Sequence, residues 1–182
     1  MKKYFILYKP FLLFLSTFFL TYIVLTFLYQ QFLNGFEENK IDSFTRMVSD
    51  NTEQVIQLFN QQSYIEESTT HPYTKLFFNS KYVARIVEGC NAISVIILFI
   101  SFVVSFSGKL KTTLLFILGG SLIIYVLNVL RISVLSALIF YFPKYEPFLH
   151  EVLFPLYIYG VVFMLWLIWV RNFSRYASKD TK

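Results

Sequence analysis

Four apolar runs constrain this chain more than any other feature: Pro10 to Leu33, Ala92 to Phe106, Thr112 to Leu130 and Val152 to Val170. A bilayer's hydrocarbon core asks for about 20 apolar residues per helix, and each run meets or nearly meets that length. The second run is short and is expected to begin a few residues earlier, near Glu88, while the third continues past Arg131 to Phe142. Composition agrees, with 56% of residues hydrophobic and only 15% charged, an apolar share above that of soluble domains. The expected fold class is therefore all-α: a polytopic membrane protein with four transmembrane helices and an extracytoplasmic helical loop. No internal repeat is visible, and no soluble stretch is large enough to fold alone.

The expected organisation is one membrane domain over 1–182. It comprises a cytoplasmic tail at 1–9, a first span at 10–33, an extracytoplasmic segment at 34–88 and a second span at 89–106. A cytoplasmic turn at 107–111, a third span at 112–142, an outer loop at 143–151, a fourth span at 152–170 and a tail at 171–182 complete it. Met1-Lys2-Lys3 ahead of the first run resembles a signal peptide, but the run exceeds a typical h-region and no small-x-small cleavage site follows it. An uncleaved anchor is expected.

Orientation follows from where the basic residues fall. Lys2, Lys3 and Lys9, then Lys109 and Lys111, then Arg171, Arg175, Lys179 and Lys182 share one side of a four-span chain and include most of its 16 Lys and Arg. The opposite short loop has only Lys144 against Glu146 and Glu151. By the positive-inside rule both termini are cytoplasmic. The net charge of +5 is then a topology signal, since no basic cluster lies on a soluble domain, and nucleic acid is not an expected partner. The lipid bilayer is.

Within 34–88, Ile41, Phe44, Val48, Val55, Leu58 and Phe59 recur near helical spacing, and Asp50-Asn51-Thr52-Glu53 reads as a cap for a second helical stretch. One or two amphipathic helices are expected there, lying on the membrane or forming a lid or docking surface. Ser63 to Pro72, rich in Glu, Ser and Thr, reads as loop.

The chemistry-bearing residues sit at the ends of the runs. Cys90 precedes the second, Arg131 lies toward the outer part of the third, and His150 precedes the fourth. With a five-residue turn joining the second and third helices, lengths of ~25 Å and ~30 Å bring Cys90 and Arg131 to similar depth. His150 is expected in the same layer. A thiol at a helix start is in a setting that favours activation. An arginine inside a bilayer costs about 2.5–3.5 kcal/mol on insertion scales and usually faces a cavity or partner. Asn128 lies one turn from Arg131 on the same face, and Glu88 stands ready to orient Arg131 or His150 or to mark the water boundary. His71, beside Pro72, reads as incidental.

Glu88-Gly89-Cys90-Asn91-Ala92, then Asn128-Val129-Leu130-Arg131, then His150, resemble the exosortase/archaeosortase family, most of all its short exosortase F type. The resemblance implies a membrane cysteine peptidase-transpeptidase of the bacterial cytoplasmic (inner) membrane, with its active site on the extracytoplasmic face. Its substrates would be membrane-anchored proteins bearing a short motif, a transmembrane helix and a basic C-terminal tail. Carried over by residue, Cys90 is the nucleophile, Arg131 the second catalytic position and His150 the third. The resemblance implies no cofactor and leaves room for a small accessory membrane protein. Many family members have glycine two residues after the cysteine, where this chain has Ala92.

Other classes fit less well. Thiol-disulfide exchange needs paired cysteines, and there is one. A zinc site needs three or four close ligands, which two distant histidines and one cysteine do not supply. The remaining alternative is a non-catalytic polytopic membrane subunit in which Arg131 and His150 form a structural polar cluster.

Overall fold

The computed structural model describes residues 2–37, 39–106 and 108–173, with side chains described from Tyr8 onward. The basic tail expected at 171–182 falls mostly outside the described residues.

The long apolar runs are helical. α1 spans Lys2–Leu33, α3 Ile93–Ser105, α4 Leu110–Tyr141 and α5 Phe154–Asn172. Three helical stretches are long and apolar enough to cross a membrane, Tyr8–Leu33, Leu110–Tyr141 and Pro143–Asn172, and Ile93–Ser105 is a shorter apolar helix. α3 is only 13 residues long because Ala92, at φ 64°, interrupts the helix expected from residue 89.

Aromatic packing ties these helices together. Phe14 of α1 meets Phe102 and Phe106. Phe99 and Val103 of α3 pack with Ile124 of α4 and with Ile158, Val162, Leu165 and Trp169 of α5. Gly120 makes the closest approach: a Cβ there would lie 2.3 Å from the Phe99 ring, so only glycine lets the ring lie against α4. Small residues at such crossings are how helices approach closely in lipid. Ser101 and Ser105 within α3 donate to the carbonyls of Ile97 and Ser101, which leaves neither hydroxyl unsatisfied in an apolar setting.

The segment between α1 and α3 departs from expectation. It is a small α+β cap, so the chain is mostly helical rather than all-α. α2 (Ser43–Gln57) starts at Asp42, whose Oδ1 accepts from the amides of Phe44 and Thr45 at 2.9 and 3.0 Å. This satisfies two of the orphan donors of a helix start. The cap expected at Asp50 to Glu53 lies mid-helix instead. There Asn51 donates to the Tyr125 hydroxyl of α4, and Glu53 accepts from the Ile65 amide.

A three-stranded antiparallel sheet follows, β1 (Tyr64–Glu67), β2 (Tyr73–Phe78) and β3 (Lys81–Val87), in the order β1-β2-β3. The Ser63 to Pro72 stretch expected as loop thus contains an edge strand. Asn79 and Ser80, at φ 51° and 60°, make the two-residue turn from β2 to β3, the left-handed pair that matches strand twist. In β2, Thr74, Leu76 and Phe78 alternate inward. Between Leu76 and Phe77 the register slips, leaving Val83 as an extra residue in β3.

The buried face of the cap sits directly on α4. Val48, Ile56, Leu76, Phe78 and Ile86 pack with Val129 and Ile132, and Cys90 is partly buried against the same cluster. Ser49 shares a buried hydrogen bond with Thr74, so the contact between α2 and β2 is partly polar. Helix, sheet and membrane helix therefore form one core at the level of Cys90.

Candidate active site

β3 leads through a 3-10 turn, Glu88–Cys90, to Asn91 and then to Ala92. The free thiol of Cys90 is half-buried, three residues ahead of Ile93, the first residue of α3. The conformation of Ala92, φ 64° and ψ 6°, reverses the chain from the turn into the helix. That is a position where glycine costs nothing and a side chain is strained. It accounts physically for the glycine that many members of the resembled family carry here.

Asn91 anchors the turn. It is 2% exposed; its Nδ2 donates to the Tyr29 hydroxyl at 2.8 Å and to Thr45 Oγ1 at 3.2 Å, and its Oδ1 accepts from the Ile93 amide at 2.9 Å. Thr45 in turn donates to Asp42. One buried amide therefore joins the end of α1, the start of α2 and the start of α3. A fully satisfied polar network of this kind fixes geometry more than it adds stability.

The other side of the turn is held by α4. Asn128, 1% exposed, donates from Nδ2 to the Cys90 carbonyl at 2.7 Å. One donor of its amide thus positions the cysteine backbone. Arg131, one turn further along, lies within electrostatic reach of the Cys90 thiol and the Tyr159 hydroxyl of α5. Its Nε is buried and has no hydrogen-bond partner among the described residues. Measured from Leu110, Asn128 lies about 27 Å and Arg131 about 32 Å along α4, close to the hydrocarbon thickness of a bilayer.

His150 is placed differently. It lies in a π-type turn, Leu149–Leu153, that runs into α5. Its neighbour Leu149 packs against Leu135 and Ile139, one and two turns beyond Arg131. The imidazole is exposed and makes no hydrogen bond among the described residues. The structure thus brings Cys90, Asn128 and Arg131 together and leaves His150 exposed on the turn ahead of α5. Glu88 makes no ion pair with Arg131 or His150 among the described residues; it is within electrostatic reach of Tyr29 and lines a cleft of about 520 Å³ with Asp42, Lys40 and Pro72. His71 stacks on Tyr73 in the cap.

Sequence reasoning missed Tyr29, Thr45, Asp42 and Tyr159. A tyrosine in an apolar run reads as an ordinary membrane aromatic, and only the fold shows which ones meet the cysteine turn. Among the described residues, no three His, Cys, Asp or Glu side chains are grouped to hold a metal ion. What the arrangement offers is a half-buried thiol beside a guanidinium whose Nε has no partner among the described residues, at the junction of cap and membrane helices.

Neither a curated protein nor a solved structure matches the chain. The family model described as transmembrane exosortase matches residues 6–170, which covers the cap, all four apolar helices and every residue of this site. The chain belongs to the transmembrane exosortase family.

Proposed function

We propose that this protein is a membrane-embedded cysteine peptidase-transpeptidase that removes the C-terminal sorting signal of exported, membrane-anchored proteins. α3 serves as the second of four spans, both termini lie in the cytoplasm, and the cap and site face outward from the bacterial inner membrane. The observation that carries this reading is the nearness of Cys90 to Arg131, whose buried Nε has no partner among the described residues. A buried donor left unpaired is costly, and an oxyanion forming beside it would supply the missing acceptor.

In the proposed reaction the Cys90 sulfur attacks the carbonyl carbon of the scissile peptide bond after giving up its proton to His150. The carbonyl oxygen becomes an oxyanion beside Arg131, an interaction of a kind typically worth about 3–4 kcal/mol. Collapse breaks the C–N bond; His150 returns the proton to the leaving amine, and the anchor helix departs with its basic tail. The acyl group remains on Cys90 as a thioester until an acceptor nucleophile displaces the sulfur. Asn128 and Asn91 act by holding the cysteine turn.

The alternative, a non-catalytic subunit with a structural Arg131–His150 cluster, has less support, because His150 is exposed and unbonded rather than buried against the arginine. The test is a co-expressed reporter ending in a short motif, an apolar helix and a basic tail. Cys90→Ala is expected to abolish release of the tail at unchanged protein level. Undiminished release by that variant overturns the proposal.

A further inference from the structure

We propose that the free edge of β3 binds the substrate's sorting motif as an added parallel strand, which brings the scissile bond to Cys90. This recognition rests on the peptidase activity proposed above and adds the way its substrate is held.

β3 is an edge strand: β2 pairs along one side of it, and among the described residues no strand pairs along the other. Which backbone groups face the open side follows from the pairing. The Ser68 amide donates to the Tyr73 carbonyl at 3.0 Å, so Tyr73 turns its polar backbone groups toward β1. Its partner across the sheet is Val87. An antiparallel pair in which one residue faces away is of the non-hydrogen-bonded kind, so Val87 turns its own N–H and C=O to the open edge. Arg85, two residues back and clear of the register slip, does the same. Outside the sheet, neither backbone has a hydrogen-bond partner among the described residues. Arg85 is exposed and Val87 only half-buried. Such unused edge groups are what an extended peptide pairs with when it joins a sheet.

Position and direction identify the occupant. β3 runs from Lys81 to Val87, passes directly into the Glu88–Cys90 turn and continues through Asn91 and Ala92 into α3. A substrate with its motif outside, then an apolar helix, then a basic cytoplasmic tail runs in that same inward direction. Laid beside β3, its motif is a parallel strand and its helix continues alongside α3. In a parallel pair, the substrate residue opposite Ile86 donates its N–H to the Arg85 carbonyl and accepts at its C=O from the Val87 amide. A 3-10 turn advances about 2 Å per residue and an extended peptide about 3.3 Å, so the scissile bond lies about three residues further on. The turn that carries His150 also adjoins β3, because Val83 packs against the cluster that includes Leu149. The slip at Val83 and the exposed Lys81 blunt the far half of this edge, a usual guard against pairing between copies, and leave the half next to Cys90 open.

Disulfide trapping in the full chain reads the strand directly. Cys90→Ala removes the single native thiol and blocks cleavage, so a cysteine introduced at position 85 or 87 is the only one in the chain. Each variant is co-expressed with the reporter carrying one cysteine at successive motif positions. Arg85→Cys is expected to trap alternate positions at least about fivefold more than those between them, and than Glu66→Cys on β1. Val87→Cys should trap positions two residues closer to the scissile bond, as a parallel strand requires. Should Val87→Cys reduce yield, the alternation at position 85 decides alone. A uniform profile, a shift in the opposite direction, trapping no better than from Glu66→Cys, or disulfides only between two copies of the chain would each overturn the proposal. The trap needs no chemistry at position 90, so its failure is distinct from failure of the cleavage test. Release that depends on Cys90, together with a uniform trapping profile, leaves the peptidase standing and removes the strand.

Discussion

Ala92 is 4% exposed and holds φ 64°, so a packed methyl sits in backbone space that favours glycine. A left-handed conformation costs a non-glycine residue about 1–2 kcal/mol. Ala92→Gly relieves that cost but loses about 0.8 kcal/mol of methyl burial, so the two effects nearly offset. Ala92→Val adds β-branching to a strained, filled position and is expected to lose about 1–3 kcal/mol. Thermal unfolding in detergent checks both: the glycine variant should stay near the parent midpoint, and the valine variant should fall clearly below it. At this scale Cys90, Asn128 and Arg131 were legible in the sequence, because a lone polar group at the end of an apolar run is conspicuous. The role of Asn128 was not, since spacing shows which residues share a face but not which atom each amide meets. Asn91 carries no signal of its own in the sequence, although its buried amide joins three helices at the cysteine turn.

The membrane helices were legible for the same reason that they are stable there: length and apolarity are what the bilayer selects. The cap was less so. Val48 and Ile56 do lie on the buried face of α2, yet Leu58 and Phe59, read as part of the same stripe, are exposed, and Thr45, Ser49 and Thr52 take the buried places. Those hydroxyl residues hide the true amphipathic face from a hydrophobic count. β1 carries only Ile65 as a partly buried side chain, so an edge strand passes for a polar loop. The alternation of Thr74, Leu76 and Phe78 and the Asn79-Ser80 turn were the available signals for β2 and β3. Between elements, Gly120 is the sharpest contact. A methyl there meets the Phe99 ring, which is fully buried and cannot swing aside. Gly120→Ala is expected to cost about 1–3 kcal/mol by overpacking. Gly119→Ala, where nothing lies within 4 Å, should hold or raise the unfolding midpoint, since alanine is the better helix former.

Cap and membrane bundle share side chains, which determines how the whole molecule comes apart. Val129 and Ile132 of α4 belong to the same cluster as Val48, Leu76 and Ile86, and Cys90 leans on it. α4 carries that cluster at one end and Ile124, packed with Phe99 and Trp169, nearer the other. A cap with its own separate core would unfold first and expose Cys90 while the bundle stayed intact; a shared core ties the two events together. Two reporters distinguish these cases. Both tryptophans, Trp166 and Trp169, sit on α5, stacked on Phe102 and tilted against Phe116, and read the bundle. Alkylation of Cys90, the chain's single cysteine and half-buried in the native fold, reads the cap by its rise above the native rate. Leu76 is fully buried, so Leu76→Ala should cost about 2–5 kcal/mol. In a detergent melt the onset of Cys90 alkylation and the tryptophan transition are expected to fall together in this variant. Leu122→Ala, at a lipid-facing position 63% exposed, should move neither. Early alkylation in Leu76→Ala with an unshifted tryptophan transition would show that the cap unfolds by itself, and that the cysteine turn is held chiefly by Asn91 and Asn128.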